Sequence, residues 1–232
     1  MSVIVVSGTG TEIGKTIVTA ALAAVATRQG RSVAVLKPAQ TGLAPGERGD
    51  ADEVVRLSGA AASTELGRFP EPLAPATAAR RAGMTPVGPR EVAEAAEKLA
   101  TEHDLVLVEG AGGLLVRFDH EGGTLADAAR LLGAPVLVVT PAGLGTLNAT
   151  ALTAEALAAR GIEQLGVVVG SWPAAPDLAS RCNLADLPEA AGAPLLGAVP
   201  EGAGGLDPAE FRVRASEWLA PALGGVWAAE TL

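Results

Sequence analysis

Ser2-Val3-Ile4-Val5-Val6-Ser7-Gly8-Thr9-Gly10-Thr11-Glu12-Ile13-Gly14-Lys15-Thr16 is the stretch that decides the fold. Its apolar run is too short for a helix and too continuous for a half-exposed strand, which predicts a strand over Ser2 to Val6 buried on both faces. A glycine-rich turn follows, then a helix-forming segment from Lys15 to Gln29, with Gly30 where a C-terminal cap belongs. The ending Gly14-Lys15-Thr16 is the core of a phosphate-binding loop. Glycines let backbone N–H groups turn inward around phosphate oxygens, and the helix N-terminus adds a favourable dipole. Lys15 is placed to reach the β- and γ-phosphates, and the Thr16 hydroxyl to ligate magnesium. Thr9 stands where the strict pattern has its first glycine, so counting from Gly8 the loop is one residue longer than standard.

The same alternation continues outward. Ser32 to Leu36, Leu105 to Val108, Val136 to Val139, Val167 to Val169 and Leu195 to Val199 read as further strands. Glu91 to Glu102, Leu125 to Leu132 and Thr146 to Ala159 read as helices between them. Repeated strand–helix units predict an α/β fold, a P-loop NTPase-like parallel sheet with helices on both faces and one domain over residues 1–232. Ligands of such sheets bind at the carboxyl ends of the strands, so the residues after each strand carry the functional signal.

Two positions answer to that rule. Leu105-Val106-Leu107-Val108 delivers Glu109 to a strand end beside Gly110-Ala111-Gly112-Gly113, the place of a metal-holding acid. Lys37, in Val35-Leu36-Lys37-Pro38-Ala39-Gln40-Thr41-Gly42, ends the second strand as a cation aimed at the same rim, with Pro38 fixing the chain after it. Two lysines converging on one phosphate suit charge stabilisation in phosphoryl transfer. Asp50 and Asp52 lie in the polar stretch beyond, where either serves as a metal ligand or as a helix N-cap.

Composition bounds the rest. The 232 residues carry a net charge of -9, which disfavours nucleic acid and anionic membrane surfaces as partners. The single cysteine, Cys182, precludes an intrachain disulfide and reads as a small, partly buried residue in a reducing compartment. No uncharged apolar stretch approaches the ~20 residues of a membrane span, so the expected location is the cytoplasm. His103 and His120 lack metal spacing and read as surface residues, and Trp218 and Trp227 read as packing residues.

Taken together, Gly8 to Thr16, Lys37 to Gly42, Glu109 to Gly113 and Gly143-Leu144-Gly145-Thr146-Leu147-Asn148 resemble the dethiobiotin synthetase family in order and spacing from the first strand to about Pro200. The threonines at Thr9 and Thr11 within the long loop are typical of it. The resemblance implies an ATP-dependent ligase of biotin synthesis that converts 7,8-diaminononanoate and CO2 to dethiobiotin through a carbamate and a carbamic–phosphoric anhydride. It implies a nucleotide site built from Glu12, Ile13, Gly14, Lys15, Thr16 and Ile17, with Gly110, Ala111 and Gly112 along the phosphates. It implies magnesium held by Thr16, Asp50 and Glu109, catalysis by Lys37 and Lys15, and substrate contacts from Thr11, Lys37 and Thr41. Gly143 to Asn148 would receive the substrate carboxylate across the two-fold interface of a homodimer.

One departure stands out. Where family members carry an adenine-contacting asparagine, this chain reads Gly170-Ser171-Trp172-Pro173. Backbone groups there and in Pro200-Glu201-Gly202 are then left to face the base, while Trp172 either stacks on it or packs in the core. Other P-loop amidoligases usually carry a glutaminase domain, for which this chain has no room. A nucleotide-dependent switch of the partitioning type has a second lysine where Thr9 and Gly10 stand here, and the Asn-Lys-x-Asp motif of GTPases is absent.

Overall fold

In chain order the elements are β1 (Ser2–Gly8), α1 (Lys15–Arg28), β2 (Val33–Thr41), α2 (Asp50–Ser58), β3 (Ala62–Phe69), α3 (Pro75–Ala82), α4 (Pro89–Glu102), β4 (Leu105–Glu109), α5 (Leu125–Leu132), β5 (Val136–Thr140), α6 (Thr146–Ala158), β6 (Gln164–Trp172), α7 (Leu178–Ala191), β7 (Leu195–Pro200) and α8 (Pro208–Arg214). The computed structural model describes residues 2–44, 46–60 and 62–229. All seven strands join one parallel sheet in the order β3-β2-β4-β1-β5-β6-β7.

Alternation along the strands sorts their side chains into two cores. Val6, Val33, Val35, Leu105, Leu107, Leu137 and Val139 face α1, α2, α7 and α8. Val5, Ala34, Leu36, Val106, Val108, Val136 and Val138 face α4, α5 and α6. Burial on both faces is why these strands read as unbroken apolar runs rather than alternating ones. Between Val18 and Ala26, α1 is buried throughout, and its alanines combine high helix propensity with close approach to the sheet. It ends at Arg28, and Gly30 takes a left-handed φ of 81° just beyond.

Both sheet edges are managed. At β7, Ala198 donates its N–H to Trp218 O and Ala220 donates to Leu196 O, so the segment after α8 covers the edge. Phe211 packs edge-to-face on Trp218 at a ring separation of 5.2 Å, and Trp227 is buried in the same core. Trp218 and Trp227 therefore do pack. At the other edge, β3 carries Glu65 and Arg68, charges that discourage strand addition.

Several elements differ from expectation. β2 runs on through Pro38 to Thr41 because β3 pairs with Ala39 to Thr41, so Lys37 sits inside the strand rather than at its end. β6 likewise includes Gly170, Ser171 and Trp172. β3 itself was not legible: its charged residues and Gly67 break the apolar pattern. Cys182 is exposed rather than partly buried, and His103 is half-buried rather than fully at the surface. No helix among the described residues is long and apolar enough to cross a membrane.

Candidate active site

Register builds the site. β4 lies between β1 and β2, with Glu109 opposite Val6 and Val108 opposite Leu36. Lys37, inside β2, and Glu109, the last residue of β4, thus end up side by side on adjacent strands, directly beside the loop leaving β1. That loop needs Gly14, whose φ is 92° and whose missing Cβ would lie 2.2 Å from the carbonyl oxygen of Gly170. Glu12 adopts a φ of 57°, the only left-handed residue besides glycine among those described, as befits a tight anion-binding turn.

Lys37 is buried and its ammonium is saturated. It donates to Glu109 Oε1 at 2.8 Å and to Gly110 O at 3.2 Å, and lies 2.6 Å from Asp50 Oδ2. Burial opposes its charge, but Glu109 and Asp50 outweigh that and hold its pKa above the usual lysine value. Thr16 Oγ1 donates to the same Glu109 Oε1 at 2.9 Å. Glu109 is 1% exposed, and its other oxygen, Oε2, is buried without a partner. Lys15 donates from Nζ to Gly10 O at 2.7 Å. Burial, then the neighbouring Lys37, lower its pKa to about 8 despite the opposing pull of Glu109 and Asp50.

These groups line one cavity of about 470 Å³, bounded by Thr11 to Thr16, Lys37, Gln40, Thr41, Arg48, Asp50, Glu109, Ala111 and Gly112. Thr11, Glu12, Thr41, Ala111 and Gly112 also border a second chamber of about 510 Å³ walled by Pro72, Leu73, Ala74, Pro75 and Val116. Two cations and two carboxylates converge where phosphate would sit, and an apolar slot opens beside them.

Asp50 and Asp52 turn to different partners. Asp52 Oδ2 turns back to accept the Gly49 N–H at 3.2 Å, a helix-capping contact, whereas Asp50 reaches Lys37. Trp172 packs in the core. Gly170 packs beneath the phosphate loop, Ser171 is exposed, and Glu201 donates its N–H to Trp172 O at 2.7 Å. Gly170 to Pro173, Pro200 to Gly202 and Gly143 to Asn148 do not line this cavity. Ile17 faces the next turn, where Gly204 lies against it. Leu144 is 93% exposed and Thr146 is buried.

Sequence reasoning missed three residues. Gln40 and Arg48 line the cavity; Gln40 stands inside the quoted Lys37 motif, and nothing marked Arg48. Asn183, buried on α7, donates from Nδ2 to Ala142 O at 2.7 Å and Gly143 O at 3.1 Å, pinning the turn before α6. From beneath, Thr140 Oγ1 lies 2.5 Å from Thr146 Oγ1, 3.0 Å from Thr150 Oγ1 and 3.3 Å from Thr9 Oγ1.

A parallel sheet with a phosphate loop after its central strand and an acid ending the next strand defines a P-loop NTPase fold. The chain is 73% identical to the ATP-dependent dethiobiotin synthetase BioD of Streptomyces avermitilis, across 100% of this chain and 97% of that protein. It is 71% identical to the protein of that name from Streptomyces coelicolor, across 99% of this chain and 97% of the relative, and 49% identical to that of Corynebacterium kroppenstedtii, across 95% of each. The chain belongs to the ATP-dependent dethiobiotin synthetase family. Residues 2–204 also match the family described as AAA domain. A ParA family ATPase from Chlorobium tepidum superposes with a TM-score of 0.58 at 14% identity, covering 97% of this chain and 94% of that one. The cell division ATPase MinD of Pyrococcus furiosus gives 0.53 at 21% identity, covering 92% and 88%. These likenesses concern the fold alone.

Proposed function

We propose that the chain carboxylates 7,8-diaminononanoate with CO2 and closes the ureido ring to dethiobiotin, converting ATP to ADP and phosphate. The convergence of Lys15, Lys37, Thr16, Asp50 and Glu109 on one cavity is the observation that carries this reading.

One amine attacks CO2, forming an N–C bond and losing a proton to give a carbamate. A carbamate oxygen attacks the γ-phosphorus and ADP departs. The second amine attacks the activated carbon, the C–O bond to phosphate breaks, and the cyclic urea and inorganic phosphate remain. Two anions must be aligned and their repulsion cancelled before any of this occurs. Lys15, whose proton is only weakly held, reaches the triphosphate. Lys37 lines the first cavity, whose wall at Thr11, Glu12, Thr41, Ala111 and Gly112 is shared with the second chamber, and there it would meet both the γ-phosphate and the carbamate. All three of its N–H donors are engaged in the resting site, so it turns to substrate by exchanging a partner, and Asp50, with 38% of its side chain exposed against 1% for Glu109, is the one that yields.

Thr16, Asp50 and the unpartnered Glu109 Oε2 fit a hard, oxygen-liganded cation, and Mg2+ there would supply the positive charge that two lysines and two carboxylates leave balanced. Thr11 and Thr41 hydrogen-bond the diamine, and the slot between Pro72 and Val116 accepts its aliphatic chain. Gly143 to Asn148 meets the carboxylate of a substrate held by a second copy, which makes the working unit a homodimer of one-domain chains in the cytoplasm. The base lies against backbone of Gly170 to Pro173 and Pro200 to Gly202, which leaves nucleobase choice loosely restricted.

Mass spectrometry of a mixture of the protein, Mg2+, ATP, bicarbonate and 7,8-diaminononanoate tests the proposal. Dethiobiotin is the expected product, and its absence with every nucleoside triphosphate refutes it.

A further inference from the structure

Gln40 is a polar side chain only 5% exposed on the cavity wall, and no step above uses it. Its Oε1 accepts the backbone N–H of Asp50 at 2.8 Å. Asp50 is the first residue of α2, so that N–H has no partner within the helix. The N-cap residue before it is Gly49, which has no side chain to cap with. A Cβ there would lie 1.9 Å from Glu65 Oε1, 2.9 Å from Arg68 Nη2 and 3.1 Å from Gln40 Oε1, so any side chain at this position would have to displace those three side-chain ends.

Those crowding groups form a platform. Arg68, the register partner of Gln40, donates to Glu65 Oε2 at 2.8 Å and Oε1 at 2.9 Å, and to Glu47 O at 2.6 Å. The start of α2 is thus held against the β2–β3 edge, with Gln40 supplying the contact nearest the site. From that fixed backbone Asp50 Oδ2 meets Lys37 Nζ at 2.6 Å. A neutral amide suits the task, since it offers an acceptor oxygen without adding a third carboxylate beside Asp50 and Glu109.

We propose that Gln40 is a positioning residue that anchors the Asp50 backbone N–H and thereby sets the Asp50 carboxylate against Lys37 and the cation position. The proposal rests on the reading that Asp50 serves the divalent cation.

The test measures binding, not turnover. ATP is titrated calorimetrically into the full chain at a series of Mg2+ concentrations and in excess EDTA. Gln40→Met keeps the length and bulk of the side chain and removes the acceptor. It is expected to raise the Mg2+ concentration for half-maximal enhancement roughly tenfold, the change that one net hydrogen bond supports. Affinity in EDTA, which depends on the phosphate loop, is expected to stay at the parent value. If Gln40→Met does not fold, Gln40→Asn replaces it, being one methylene too short to reach the N–H. Asp50→Asn is the reference. A parent-like Mg2+ dependence in Asp50→Asn removes Asp50 from the cation and takes the proposal with it. A raised requirement in Asp50→Asn alongside a parent-like one in Gln40→Met, or in Gln40→Asn where it stands in, overturns the proposal alone.

Discussion

Replacing Lys37 by methionine would leave Glu109 as a buried carboxylate stripped of its cation. The side chain of Glu109 is 1% exposed, Lys37 lies 2.8 Å from its Oε1, and Thr16 is the other hydrogen-bond donor to that oxygen. Removing one partner of a buried ion pair costs about 3–5 kcal/mol, because the other charge stays in a poorly solvating environment. Asp50 adds little to this, since its side chain is 38% exposed and water replaces the lost partner. A loss near about 3 kcal/mol at neutral pH is expected, a large share of the ~5–15 kcal/mol typical of a domain but compatible with a folded chain. The deficit must also depend on pH. Lys37 has a raised folded pKa, so its contribution in the parent is fully present below the unfolded value of 10.5 and is lost only as pH rises through the folded one. Urea denaturation of parent and variant at pH 7.5, without metal or nucleotide, measures the deficit. A deficit below about 1 kcal/mol would refute the placement of Glu109 as a buried charge balanced by Lys37. Turnover in the same variant is expected to fall by at least about a thousandfold, since an electrostatic contact to the transferring phosphoryl group is lost.

Lys15 loses its proton near pH 8, so ATP affinity in EDTA should hold steady below that value, fall above it, and be accompanied by proton uptake; calorimetry in buffers of different ionisation enthalpy detects this, and a flat profile would exclude a charged Lys15 at the phosphates. Gly170→Ala would put a Cβ 2.0 Å from the carbonyl oxygen of Ile13, displacing the phosphate loop; a stability loss of about 1–3 kcal/mol with much weaker ATP binding is expected, and parent-like binding would contradict the tight seat seen between β6 and the loop. Asn183→Asp keeps the shape but faces the carbonyls of Ala142 and Gly143 with a carboxylate in place of a donor, so KM for 7,8-diaminononanoate should rise with KM for ATP unchanged. Steady-state kinetics with each substrate varied in turn separates these constants, and a change confined to ATP would disconnect Asn183 from the substrate end.

The parallel sheet was legible from the residues alone, because unbroken runs such as Leu105 to Val108 are tolerable only in strands covered on both faces. The sequence also marked Gly14, Lys15, Thr16, Lys37 and Glu109, since each follows or ends such a run and the chemistry of phosphate demands those residue types. What it left open turned on partners distant along the chain. Asp50 and Asp52 are equivalent in a linear reading, and only the docking of α2 sends one carboxylate to Lys37 and the other back to Gly49. Trp172 was ambiguous until β6 extended through it into the core. Asn183 and the edge strand β3 gave no local signal, and Gln40 stood inside the Lys37 motif with nothing to mark its role, because these roles consist of hydrogen bonds to backbone groups that tertiary packing brings near them. Local composition records which face of an element is buried; the choice of contact between distant elements is recorded only in how the sheet orders its strands and sets their register.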